Sequence, residues 1–279
     1  MTSFPPTSQL QRNVRASLDE DIASGDLTAQ LLPPFQPASA QVISRQTGVL
    51  CGTAWFDACF TALDADCRID WQAKDGERIT PGQTLCRITG NARALLSAER
   101  NALNLLQTLS GTATTTRRYV DAVAGLPVKI MDTRKTLPGL RDAQKYAVRM
   151  GGGYNQRTGL YDGILIKENH IAAAGGISAV LKAAASLAPP GVSVQIEVEN
   201  WMELDEALNA GAKLILLDNF DLEALASAVK HTAGRAELEA SGGITLAGLR
   251  EVAETGVDRI SIGALTKDVE ALDLSMRFI

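Results

Sequence analysis

KLILLDNFDLEALASAVKHTAGRAELEASGG, residues 213 to 243, holds one full repeat of the architecture. The apolar run Leu214-Ile215-Leu216-Leu217 stops at the polar pair Asp218-Asn219, an alanine-rich helical stretch follows, and Gly234 precedes a second run ending in Ser241-Gly242-Gly243. The first run lacks the alternation of a strand with one wet face, so it reads as a parallel strand buried on two sides and joined by a helix to the second. The same pattern extends outward to VKIMD (128–132), GILIKEN (163–169), VSVQIEVEN (192–200) and RISIGAL (259–265). The last four runs begin at residues 192, 213, 236 and 259, a spacing of about 22 that fits consecutive βα units. Between them ELDEALNAG and LAGLREVAETG close on Gly211 and Gly256, as helices commonly do. Six such runs predict a closed or incomplete α/β barrel over residues 113–270, with the active site at the C-terminal strand ends. Those ends carry Asp132 to Lys135, Lys167 to Asn169, Glu197 and Glu199, Asp218, Ser241 to Gly243, and Gly263.

Residues 1–112 follow another plan. SLDEDIASGDLTAQLL is polar and helix-like, while VISRQTGVLCG, CRIDWQAKDGERITPG and TLCRITG read as short strands turning at Asp75-Gly76 and Pro81-Gly82. This predicts an N-terminal α+β domain on which the last ten or so residues of the chain pack back. In LLSAERNALNLLQTLSGTATTTRRYV, apolar residues at 95, 96, 102, 103, 105, 106 and 109 form a helical stripe, with Arg100 and Asn104 on the other side. This helix is expected to bridge the two domains.

The chain has 279 residues, 46% of them hydrophobic, enough for a large core in one large domain or two unequal ones. No run approaches the roughly 18 apolar residues of a membrane span, and MTSFPPTSQLQRN lacks the layout of a signal peptide, so a cytoplasmic address is expected and no membrane partner. Cys51, Cys59, Cys67 and Cys86 include no CxxC pair and read as reduced, mostly buried thiols rather than zinc ligands. The net charge of -5 argues against nucleic acid as the main partner.

Locally the balance reverses. From Asp132 to His170 seven basic residues (Arg134, Lys135, Arg141, Lys145, Arg149, Arg157, Lys167) face four acidic ones (Asp132, Asp142, Asp162, Glu168), a net charge of +3. Arg141, Lys145 and Arg149 lie four apart and read as one solvated helix face. Arg134 and Lys135, by contrast, stand side by side at a strand end in DTRKTLPGLR (132–141). Ser241-Gly242-Gly243 and Gly263-Ala264 close adjacent strands and suit a phosphate, the alternative being tight turning. Glu197 and Asp218 suit a magnesium ion or ribose hydroxyls, the alternative being structural ion pairs. Phosphate donors, paired carboxylates and clustered cations together describe a pocket for a phosphorylated sugar and a second anion.

Beyond these patterns, the sequence resembles the quinolinate phosphoribosyltransferases over essentially its whole length. The resemblance lies in GDLTA (25–29), SAERNALNLLQTLSG (97–111), DTRKTLPGLR, KYAV and GGG (145–153), NQRTGL (155–160), DGILIKENHI (162–171), EVEN (197–200), LLDNF (216–220), SGGI (241–244), and SIGALTK with ALDLSMRF near the end. It implies transfer of the phosphoribosyl group of phosphoribosyl pyrophosphate (PRPP) to quinolinate, with Mg2+, giving nicotinate mononucleotide, pyrophosphate and CO2 in de novo NAD synthesis. It also implies an α/β-hammerhead-like N-terminal domain, an incomplete α/β barrel of phosphoribosyltransferase type II, and a homodimer with shared sites.

Position by position, the resemblance implies that Arg134 grips a quinolinate carboxylate while Lys135 neutralises the departing pyrophosphate or the carboxylate that leaves. Arg157, Lys167 and Arg100 gather round the same anions, Arg100 reaching in from the partner subunit. Glu197 and Asp218 serve ribose and metal, and Ser241, Gly242, Gly243, Gly263 and Ala264 cradle the ribose phosphate. His170 borders the pocket, its alternative being a structural hydrogen bond. Lys135, Lys167, Glu197 and Asp218 are the expected catalytic residues. One position departs: family members usually have histidine before the arginine that is Arg157 here, whereas this chain has Gln156, which hydrogen bonds but cannot be cationic. A related phosphoribosyltransferase acting on nicotinate or another aromatic acid is therefore the alternative activity. A Schiff-base aldolase using Lys167 and a carrier module built on KDGERITPGQTLCRITG fit less well, the latter because its hairpin tip has no central lysine.

Overall fold

The computed structural model describes residues 5–279, which form two compact units, one of residues 5–117 with Thr136–Gly152 and Leu265–Ile279, and one of Arg118–Lys135 with Gly153–Ala264. In chain order the elements are α1 (Thr7–Ile22), a 3-10 turn (Ala29–Leu31), β1 (Pro37–Ser44), β2 (Gly48–Val49), α2 (Thr53–Leu63), β3 (Arg68–Trp71), β4 (Arg78–Ile79), β5 (Thr84–Asn91) and α3 (Ala92–Ala122). There follow β6 (Lys129–Met131), α4 (Arg141–Met150), β7 (Gly163–Ile166), α5 (Glu168–Ala174), α6 (Ile177–Leu187), β8 (Ser193–Val198), α7 (Trp201–Asn209), β9 (Leu214–Asp218) and α8 (Leu222–Thr232). The chain ends with β10 (Glu237–Ser241), α9 (Leu249–Glu254), β11 (Arg259–Ser261), α10 (Ala264–Lys267) and β12 (Leu274–Phe278). No single described helix is long and apolar enough to cross a membrane.

In the first unit an antiparallel sheet runs β12-β1-β5-β3, so the last strand of the chain pairs with the first. Its core joins Val42, Leu85 and Ile88 of the sheet to Trp55, Phe56 and Phe60 of α2 and Leu95, Leu103 and Leu106 of α3. All four cysteines are buried here as free thiols, and burial pushes Cys59 up to about 12 and Cys67 up to about 11. The segment before β12 returns along α3, where Leu272 N donates to Gln107 O at 3.0 Å. Gly111 permits that approach, since a Cβ there would lie 2.1 Å from the Glu270 carbonyl oxygen. The units do not follow one cut in the chain. Buried Gln144 ties α4 to this unit, donating to Thr266 O at 2.8 Å and accepting from Leu137 N at 2.8 Å.

The second unit is a six-stranded all-parallel sheet in the order β6-β11-β10-β9-β8-β7, the frame of an incomplete barrel. Each strand is one of the six runs legible in the sequence. Register pairs Glu197 with Leu216, Leu216 with Glu239, and Glu239 with Arg259, so these residues share one face of the sheet. Ile196, Ile215, Leu238 and Ile260 point the other way and are buried. The inner face thus carries the polar residues, and the outer face supplies the apolar surface that a two-sided sheet needs.

Candidate active site

All the residues expected in the site except Arg100 lie in the second unit, Gln156 and Arg157 in the segment that leads into β7 and the others at or just beyond the C-terminal ends of its strands; Arg100 is exposed on α3 in the first. Buried Glu197 accepts from Lys167 Nζ at 2.5 Å. Register explains the pair: Ile166 lies opposite Ile196, so the next residues along β7 and β8, Lys167 and Glu197, face each other. Carboxylate oxygens of Glu168, Glu197 and Glu199 lie within 4.8 Å of one another. These are all hard oxygen donors, the set a magnesium ion takes, with substrate phosphates and water completing its shell. Asp218 instead accepts from Asn219 Nδ2 at 3.0 Å.

The cations converge at the end of β6. Burial lowers the pKa of Arg157, Arg134 lowers it further, and Asp162 opposes the shift only in part. Two guanidinium groups are thus held close enough to repel, an arrangement that an anion with more than one charge relieves. Arg157 Nη1 also donates to Gly163 O at 3.1 Å, which fixes its direction. Lys135 packs its methylene chain on Gly263, where a Cβ would stand 3.1 Å from Lys135 Cδ. The glycine therefore lets the lysine lie along the strand end.

At the ends of β9 and β10, Asn219 adopts φ +57° and its N–H donates to Ser241 O at 3.2 Å. Gly242 (φ +104°) and Gly243 (φ +56°) follow, and a Cβ on Gly242 would meet Asn219 Oδ1 at 2.4 Å. Both glycines are exposed, so their backbone is accessible to a ligand phosphate.

Two residues take positions that sequence reasoning left open. His170 is exposed, and its Nδ1 accepts from Lys167 N at 3.1 Å, so it caps α5 and fixes the backbone from which Lys167 projects. Gln156 points into the barrel, where its Nε2 donates to Glu239 Oε1 at 2.8 Å, to Glu239 Oε2 at 2.6 Å and to Gln195 Oε1 at 3.0 Å. Gln195 and Glu239 escaped sequence reasoning, and Glu168 was placed at a strand end without a role. Alternation within Gln195-Ile196-Glu197 and Glu237-Leu238-Glu239 was the available signal, because it puts each polar residue on the face shared with a strand-end carboxylate.

Residues 26–110 match the sequence profile of the quinolinate phosphoribosyl transferase N-terminal domain and residues 112–277 that of the C-terminal domain. The chain belongs to the quinolinate phosphoribosyltransferase family. A Bacillus subtilis (strain 168) relative, named probable nicotinate-nucleotide pyrophosphorylase (carboxylating), is 44% identical over 96% of this chain and 93% of its own. A Nicotiana tabacum relative, named quinolinate phosphoribosyltransferase (decarboxylating) 2b, mitochondrial, is 36% identical over 98% of this chain and 83% of its own. The solved nicotinate-nucleotide pyrophosphorylase of Francisella tularensis superposes with a TM-score of 0.96 at 43% identity, covering 100% of this chain and 99% of that one. Family membership accounts for both the incomplete barrel and the antiparallel N-terminal sheet.

Proposed function

We propose that this protein transfers the phosphoribosyl group of PRPP to quinolinate and removes one ring carboxylate, yielding nicotinate mononucleotide, pyrophosphate and CO2. Within the family, the observation that carries the reading is the repelling pair made by Arg134, beyond the end of β6, and Arg157, ahead of β7. A dicarboxylate offers each guanidinium a carboxylate of its own, whereas a monocarboxylate such as nicotinate offers one between them.

The exposed backbone of Gly242 and Gly243, with Gly263 and Ala264 at the next strand end, holds the ribose phosphate. Lys135 meets the pyrophosphate and compensates the charge that develops as it departs. Glu197, kept in place by Lys167, faces the ribose, where a carboxylate stabilises positive charge at C1 as the pyridine nitrogen attacks. Once that nitrogen is quaternary it accepts the electrons released as the adjacent carboxylate leaves, so this step requires positioning and no covalent nucleophile. Magnesium, when bound, supplies charge neutralisation for the pyrophosphate. Glu168, Glu197 and Glu199, with Asp218 at the end of the neighbouring strand β9, are the residues that would hold it.

The working form is a homodimer in which Arg100 completes the partner's site, in the cytoplasm. Leu27, Leu31 and Phe35 are 82%, 83% and 89% exposed, on a segment stitched to α3 by Ser97 Oγ donating to Asp26 Oδ2 at 2.8 Å and Arg93 Nε donating to Leu32 O at 2.8 Å. Apolar side chains presented this way beside Arg100 suit burial against a second copy. The deciding experiment supplies PRPP, magnesium and carboxylate-labelled quinolinate or nicotinate, and measures labelled CO2 and mononucleotide. Product from quinolinate alone is expected, and product from nicotinate alone would sink the reading.

A further inference from the structure

The middle of the barrel's inner face is polar where aliphatic side chains ordinarily fill such folds. Gln195 on β8 and Glu239 on β10 are 4% and 1% exposed, and Gln195 Nε2 reaches across β9 to Glu239 Oε2 at 3.0 Å. Gln156 enters from outside the sheet and spends its amide N–H groups on these two residues. Its Oε1 accepts from Arg157 N at 3.4 Å. The amide has one workable orientation, since a flip would set its oxygen against both Glu239 oxygens and its NH2 against the Arg157 N–H.

The same short segment is gripped from its other side. Asp132 is fully buried; it accepts from Gln156 N at 2.8 Å and Asn155 Nδ2 at 2.6 Å, and its own N donates to Tyr154 O at 3.0 Å. Arg134 follows this clasp by two residues and Arg157 follows Gln156 by one. The backbone from which Arg134 and Arg157 project is therefore anchored twice, at Asp132 and, through Gln156, at Glu239. Without such anchors substrate binding would itself have to order them.

We propose that Glu239 is a positioning residue for the acceptor substrate, acting through Gln156 to hold Arg157 where it and Arg134 meet one dianion. The inference rests on quinolinate as that dianion. Glu239 lies on β10, the strand that leads into Gly242, but its carboxylate bonds to Gln156 and Gln195 and not to the phosphate cradle, so loosening it weakens the acceptor side and spares the PRPP side.

The test compares steady-state kinetics of the wild type, Glu239→Gln, Gln156→Met and the double variant. Turnover of quinolinate by the wild type in the same assay establishes the activity, and its absence would sink that reading alone. With turnover present, Glu239→Gln is expected to raise the quinolinate KM about tenfold, with the PRPP KM changed by less than about twofold and kcat reduced less than the quinolinate KM is raised. Because Glu239 acts through Gln156, the double variant should be no worse than Gln156→Met. An unchanged quinolinate KM, an equal rise in both KM values, or additive losses in the double variant would each overturn the proposal. Should Glu239→Gln fail to fold, Gln195→Met loosens the same network from its third corner and should shift the quinolinate KM selectively in the same direction; no shift there also overturns it.

Discussion

Lys167 Nζ and Glu197 Oε2 lie 2.5 Å apart, although 30 residues separate them in the chain, and the carboxylate side chain is 9% exposed against 43% for the lysine. The pair stands at the centre of the strand-end carboxylates, so Lys167 both neutralises and aims Glu197. Lys167→Met should leave a buried carboxylate without its cation, at a cost of about 1–3 kcal/mol after allowing for the lysine's exposure. Calorimetric melting should show a Tm several degrees lower, together with a large loss of kcat. A variant with wild-type Tm and kcat would remove Lys167 from the site.

Arg134→Lys keeps the charge at the end of β6 and removes the planar two-pronged donor. If Arg134 clamps a carboxylate, quinolinate binding should weaken by about 2–5 kcal/mol, read by titration calorimetry on the folded variant. Unchanged affinity would refute the clamp.

Arg100→Ala and Lys135→Ala should each be nearly inactive as pure proteins. Mixed and allowed to exchange subunits, half the dimers become mixed, and each of those holds one doubly damaged site and one intact one. Activity should then return to roughly a quarter of wild type. No recovery, despite exchange seen by mass spectrometry, would confine Arg100 to its own subunit.

Asp57 is pushed up to about 6, chiefly by burial, although Trp71 Nε1 donates to its Oδ1 at 2.8 Å and opposes the shift. The folded protein therefore holds this proton more tightly than the unfolded chain does, and stability is lost as pH rises from about 4 to about 6. Asp57→Asn keeps an acceptor for Trp71 and removes the charge. It should raise Tm at pH 8 and change it little at pH 4, and an equal shift at both would exclude this account.

Gly111→Ala sets two effects against each other. Helix propensity favours alanine by about 1 kcal/mol, but the new Cβ would fall 2.1 Å from the Glu270 backbone oxygen. Backbone cannot swing aside as a side chain does, so overpacking wins and a net loss of about 1–3 kcal/mol is expected in denaturant unfolding. Greater stability in the variant would mean that the segment before β12 yields freely.

The alternation of strand and helix and the six parallel strands were legible in the residues, because strands covered on both faces are mostly apolar and a helix beside them must show its own period; the cationic stretch from Asp132 to Lys167 was legible too, although its Lys145 is buried and not on a solvated face as expected. DTRKTLPGLR and its companion strings carried the family, and with it the strand-end carboxylates and glycines. Helix α2, TAWFDACFTAL, was not legible as a helix, since burial of Trp55, Phe56, Cys59 and Phe60 blurs the contrast between its faces. Other features exist only once the chain is folded. Gln156 meets Glu239 across 83 residues and Gln195 meets Glu239 across 44, and α4 joins the first unit through contacts of Gln144 with Thr266, 122 residues away. Local sequence dictates which face of a strand a side chain takes. Which residues from distant strands meet there depends on sheet order and register, so the direction of Gln156, the capping role of His170 and the grouping of Glu168 with Glu197 and Glu199 were decided by the tertiary structure alone.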